Sequence, residues 1–326
     1  MNNLPTSLFG HLIFSAPNNL GGLFAIMDDG QILPLDDRGT CGIHWSPEGI
    51  FLRGIQQGDL LALTDRNGTR EYAGEWADLH DVLLDGEDVY LVSTQHNAVI
   101  RWNIKKAMEA ERWTFADPED AWHINCLGWL HGELCFTAFG EFPISRGYKL
   151  TTLNQGFLRR LHGNSRLSLV AGLSQPHSIL GIDDVDEWIL CNSETGELWH
   201  TAGHQYPCSR IALDGYTRGL AIRDGILYVG LSASRNVADG TLSGRAQIVA
   251  IDMADWREIS RISLPSMEVY GIVALSDAET FLHLVARVLS DERIRALNQQ
   301  NAISEKLAIL VNENARLKIA LGLTGS

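Results

Sequence analysis

The hydrophobic residues of this chain recur as paired short runs. Six segments carry the pattern: TCGIHWSPEGIFLRG (40–54), LHDVLLDGEDVYLVS (79–93), WHINCLGWLHGELCFTA (122–138), PHSILGIDDVDEWILCN (176–192), TRGLAIRDGILYVGL (217–231) and VYGIVALSDAETFLHLVA (269–286). Each reads as an apolar strand, a turn carrying Asp, Gly or Glu, and a second apolar strand. They start about 39 to 54 residues apart, the repeat length of propeller blades. Two more strand-like runs follow some of them: AVIRWNI and ERWTFAD after the second, RAQIVAIDM and REISRISL after the fifth. Four strands per repeat make one propeller blade. The chain is therefore expected to be all-β, a six-bladed β-propeller over residues 1–289. The N-terminal runs HLIFSA, GGLFAIM and QILPLDD have no inner strand before them, and the last segment has too few strands after it. Joining the two ends in one blade would close the ring and leave no unpaired sheet edge.

The pattern changes at residue 290. From there to 326 the chain is rich in helix formers and has no strand signal. Ile303, Leu307, Leu310, Asn314, Leu317 and Leu321 alternate at spacings of three and four, an a/d seam with Asn314 at an a position. This predicts a C-terminal helix. A homodimeric coiled coil would bury the seam, and so would packing against the side of the propeller.

Charge narrows the partners. The net charge is −14, which disfavours nucleic acid and anionic membranes, since both call for a basic surface. No basic, apolar leader and no membrane-length apolar run is evident, so a cytoplasmic protein is expected. The cysteines are Cys41, Cys126, Cys135, Cys191 and Cys208, an odd number without a CxxC pair, which suits free thiols. An EF-hand spacing, a phosphate loop leading into a helix and a GxSxG elbow are all missing.

Four of the segments, LHDVLLDGEDVYLVST, WHINCLGWLHGELCFTA, LSQPHSILGIDDVDEWILCNSETGEL and YTRGLAIRDGILYVGLSASR, resemble the successive signatures of a bacterial family of unknown function expected to be a β-propeller. The resemblance runs over roughly residues 8 to 288. It implies a propeller and no settled activity, and a fold by itself assigns none.

Candidate chemistry comes from aligning the starts of the inner strands. The shared position is occupied by Cys41, His80, His123, His177, Arg218 and Tyr270. Six blades would bring these residues to the mouth of the central channel, where a merely structural position would be small or apolar. His80, His123 and His177 form a candidate set for a divalent transition metal such as zinc, iron or manganese. Arg218 would clamp a carboxylate or phosphate, and Tyr270 or Cys41 would carry a proton. Asp81 and Asn125 are candidates to orient the histidines, or are turn residues. A water-filled, hydrogen-bonded channel plug is the alternative. Two long loops, 138–156 and 232–245, share the expected face. Rim candidates on that face are His96, Glu141, Arg146, Asn192, Glu194 and Arg235. The expected function is binding of a small anionic metabolite, with hydrolase, lyase or isomerase chemistry. Two alternatives are a non-catalytic sugar- or metabolite-binding propeller tethered to a partner by its helix, and a scaffold with no small ligand.

Overall fold

The computed structural model describes residues 8–18, 21–162, 168–182, 187–202, 209–233 and 244–320. Its strands form six antiparallel sheets of four, the blades of a six-bladed β-propeller. Blade 2 spans residues 40–72, blade 3 79–114, blade 4 124–173, blade 5 176–212 and blade 6 216–263. In these five blades the first strand in sequence is the innermost. Blade 1 is composite: Ile272–Ala274 pairs with Leu12–Ala16, which leads outward to Gly22–Ile26 and Ile32–Asp36. The inner strand Ile272–Ala274 lies between those of blades 2 and 6.

Side-chain alternation explains how the blades stack. Phe14 and Phe24 of blade 1 pack with Tyr228, Ile248 and Ala250 of blade 6. Tyr90, Val92 and Val99 of blade 3 pack with Leu134, Phe136 and Phe157 of blade 4. Each fully buried Phe or Leu contributes about 1.5–3 kcal/mol, so these seams hold neighbouring blades together. The outer strands Met108–Thr114 and Arg257–Ser263 are mostly exposed and charged, which protects the edges from pairing with other chains.

The helix, α1, runs from Ala278 to Ala320 and so begins well before residue 290. The expected sixth strand pair fails in its second half: FLHLVA is helical. Its apolar residues continue as Phe281, Leu284, Val285 and Val288, a three-and-four spacing that a strand cannot use, and all four are buried against blades 1 and 2. Asp277 caps the helix, its Oδ2 accepting from the Thr280 N–H at 2.6 Å. A buried charge cluster then fixes α1 to the propeller. Arg38 bonds Asp36 at 2.9 Å, Glu292 at 2.8 Å and Glu71 at 2.7 Å. Arg53, buried, bonds Asp36 and reaches Glu292 at 3.0 Å. Burial alone would raise the Asp36 pKa, but Arg53 and Arg38 outweigh it and hold the carboxyl well below its usual range. No helix among the described residues is long and apolar enough to cross a membrane.

Candidate functional site

The inner strands share a defect. Their pairing register slips between Thr40 and Ile43, Leu79 and Val82, Ile124 and Leu127, His177 and Ile179, and Arg218 and Leu220. Each slip is a β-bulge, which re-aims side chains near a sheet's rim. Aligning the blades on these bulges gives the true register. Cys41, His80, His177 and Arg218 occupy one position, and Tyr270 joins them by bonding opposite Ser15. In blade 4 the position belongs to Asn125, so His123 stands two residues earlier than expected. It belongs to a second tier with Asp78, Gln175, Tyr216 and Glu268. The backbone agrees, because Asp78, His123 and Gln175 all adopt left-handed φ values of 55°, 49° and 48°.

The two tiers enclose a cleft of about 940 Å³ at the channel mouth. Cys41, His80, His123, Arg218 and Tyr270 all line it. His177 does not: it is buried, in ring contact with Phe139, Tyr216 and Tyr270 at centroid distances of 5.3, 5.3 and 6.1 Å. Among the rim candidates, Arg146 and Glu194 line the cleft. His96 instead bonds Ser93 at 3.1 Å, Glu141 pairs with Arg159 at 2.6 Å, and Asn192 is buried, accepting from the Ser174 N–H at 2.6 Å. Those three do not line the cleft, and bond instead a hydroxyl, a guanidinium and a backbone N–H of nearby residues. Arg235 lies outside the described residues.

The three imidazoles do not assemble as a metal set. Among the described residues no three His, Cys, Asp or Glu side chains come together as a metal ion requires. His80 and His123 meet edge to face at 5.1 Å, with Nδ1 bonded to the Asp78 carbonyl at 3.0 Å and to Asp120 Oδ1 at 2.8 Å respectively. His177 Nδ1 bonds the Gln175 carbonyl and Ser193 Oγ, both at 2.9 Å. Asp81 is not a partner of the histidines either. Its carboxylate accepts from the Val82 and Leu127 N–H groups, joining blades 3 and 4, and burial pushes its pKa up to about 7. The Cys41 thiol is likewise raised by burial, which makes it a poor nucleophile.

The most organised group in the cleft was not visible as a motif. Asp120, buried, holds His123 through Oδ1, while its Oδ2 accepts from Tyr148 Oη at 2.9 Å and Arg146 Nε at 3.1 Å. Burial raises the Asp120 pKa, but these donors outweigh it and leave the carboxyl lower than usual. The His123 ring lies 4.4 Å from that of Phe139 and 4.3 Å from that of Tyr148. Burial lowers the His123 pKa despite the Asp120 carboxylate, so the imidazole is neutral near pH 7. With Nδ1–H donated to Asp120, Nε2 carries the lone pair and has no protein partner among the described residues. The loop 138–156 supplies Arg146 and Tyr148 and is tied down further by Thr152, which donates to Glu194 at 2.6 Å and accepts from Gln175 at 2.8 Å. Across the cleft, Arg218 pairs with Glu268 at 2.8 Å and lies over the Tyr216 and Tyr270 rings at 4.9 and 5.4 Å. Tyr270 Oη donates to Asn125 Oδ1 at 2.6 Å.

Solved structures of similar shape are propellers. A chain of a nidogen/laminin complex matches with a TM-score of 0.61 at 12% identity, covering 82% of this chain and 99% of that one. A streptogramin B lyase matches at 0.51 and 14% identity over 74% of each chain. A luciferin-regenerating enzyme matches at 0.54 and 10% identity, over 71% of this chain and 78% of that one. At such identities the likeness shows the fold alone. The sequence matches none of the curated proteins. A family model does match, over residues 69–281, the stretch from the outer strand of blade 2 to the first turn of α1 that includes the Asp120–His123 pair. By that match the chain belongs to the family described as domain of unknown function DUF4915.

Proposed function

We propose that the cleft binds a small polar metabolite bearing an anionic group and acts on it by acid–base catalysis, with His123 as the base. The observation that carries this reading is the Asp120–His123 pair. A buried carboxylate fixes the imidazole by Nδ1, and the other nitrogen stays basic and unengaged in a cleft. The lowered pKa keeps that base deprotonated at neutral pH. Lys149 and Arg146, both exposed at the cleft, supply positive charge for the anionic group. Arg218 is engaged by Glu268 and sets the far wall. Removal of a proton from carbon or hydroxyl leads to lyase or isomerase chemistry, or to hydrolysis through an activated water. A second reading is a non-catalytic sugar-binding site, supported by the Tyr148, Tyr216 and Tyr270 rings beside Asp78 and Glu194.

The test is a thermal-shift panel of sugar acids, sugar phosphates and lactones, with each stabilising compound then followed by NMR for turnover. The expected result is a compound consumed by the wild type and bound but turned over about 100-fold or more slowly by H123Q. Binding without turnover in the wild type supports the sugar-binding reading instead. Turnover unaffected by H123Q removes His123 from the chemistry.

A further inference from the structure

Beyond residue 295, α1 has no cover among the described residues as far as residue 313. Its first half is packed, from Phe281 to the Glu292 and Arg295 contacts with the loop after Asp36. From residue 296 to 313 every residue is exposed, including Ile303 at 66%, Leu307 at 60% and Leu310 at 60%. Most helical stability in proteins comes from tertiary packing of an apolar face, and this stretch finds none among the described residues. Soluble proteins also seldom leave such an apolar stripe open.

The position of this segment follows from the strand directions. Each inner strand starts at the cleft, so with alternating directions the fourth strand of a blade ends on the same face. In blade 1 that end is Asp36, and the next loop leads to cleft-lining Cys41. The helix starts at the opposite face, where Phe281 meets His11 at 4.9 Å, and reaches the cleft face where Arg295 meets Asp37 at 3.5 Å. Residues 296–320 therefore stand out from the face that bears the cleft, by about 37 Å at the helical rise of about 1.5 Å per residue.

The sequence of the protruding segment selects its occupant. Leu307, Asn314 and Leu321 fall at a positions, and Ile303, Leu310 and Leu317 at d positions. An Asn at a finds its best partner in its own mate across a two-fold axis and favours two strands. Glu313 falls at g and Lys318 at the following e, positions that attract each other between parallel, in-register chains. We propose that residues 296–320 of two copies of this chain form a parallel two-stranded coiled coil on the cleft face, so that both clefts open toward the same side. The inference does not depend on the chemistry of the cleft.

Light scattering of the full-length protein across a dilution series tests it. The wild type is expected at twice the chain mass and the L307R/L310R variant at the chain mass, with the same melting midpoint for the propeller. An L310C variant is expected to form an interchain disulfide under mild oxidation, because parallel d positions face each other. A monomeric wild type overturns the proposal and leaves the stripe to a different partner. A dimer that survives L307R/L310R overturns it as well, and a dimer in which L310C does not cross-link excludes the parallel arrangement.

Discussion

Two buried clusters of charge in this molecule are built from similar residues and do different things. At the joint of α1, Asp36 and Glu292 are both gripped by Arg38 and Arg53, and Arg295 closes the outer side. Acid meets base throughout, and none of these side chains lines the cleft. At the cleft, Asp120 is gripped by Arg146, Tyr148 and His123, but His123 keeps one nitrogen unengaged. A charge cluster that closes on itself makes a fastening. One that ends in an open lone pair inside a cleft makes a reactive centre.

Removing one member of each cluster separates the two roles. The largest stability effect is expected for D36A. It would strand buried Arg53 beside an incomplete set of acids, and breaking a buried pair costs about 3–5 kcal/mol. Chemical denaturation would read this as a lower midpoint with unchanged slope. Compounds that bind the cleft should bind D36A as they bind the wild type at temperatures where it is folded. A D36A protein as stable as the wild type would refute the fastening role.

D120N should show the reverse. The amide still holds the loop but no longer favours the right imidazole tautomer or stabilises its cation, so turnover should fall by roughly 100-fold or more. Substrate binding should change much less. Equal losses in kcat and in affinity would mean that Asp120 merely shapes the cleft. Y148F makes a smaller cut: it removes one donor to Asp120 Oδ2, worth about 1 kcal/mol. The Asp120 carboxylate should then titrate at higher pH, and the acid limb of a pH–rate profile is where the change would be seen.

The blades were legible in the sequence for a reason that did not extend to the site. Paired apolar runs with an acidic or glycine turn favour strand and hairpin, and five of the six inner segments fold that way. The last of them misleads at FLHLVA, an apolar run that reads as a strand until Val288 is included and the three-and-four spacing from Phe281 shows, with Asp277 as the helix cap. The ring register was readable in five blades and wrong in the fourth. WHINCLGW invites alignment of His123 with His80 and His177, whereas the bulge counts from Asn125. Asp120 could have been noticed as an acid three residues before a histidine. Its contact with His123, however, depends on left-handed backbone at both residues, φ 48° and 49°, which no periodicity reports. Position near a strand end points to His96, Glu141 and Asn192 as rim residues, but their side chains bond nearer partners.

The smallest expected effect concerns pH and again contrasts the two clusters. His123 and His177 both have pKa values lowered by burial, His177 well below the usual value, where the Arg218 cation adds to the burial. In the unfolded chain their pKa is about 6.5. A group whose folded pKa is depressed stabilises the fold above its unfolded pKa and loses that contribution as pH falls toward the folded value. The two imidazoles should therefore lower the melting midpoint as pH falls below about 6.5, while Asp81, whose folded pKa of about 7 lies above that of an unfolded carboxyl, raises it as pH falls through 7 and opposes the decline. The fastening cluster adds little between pH 6.5 and 5, because the loss from Asp36 sets in only as pH nears the ordinary carboxyl pKa of about 3.9. A His177→Gln variant tests the assignment. It lowers stability at pH 8, where the Ser193 and Gln175 bonds are disturbed, but it should flatten the slope between pH 6.5 and 5. If the slope is unchanged in H177Q and also in H123Q, the acid sensitivity belongs to other groups, and His44, whose pKa burial lowers to about 4, is the next to test.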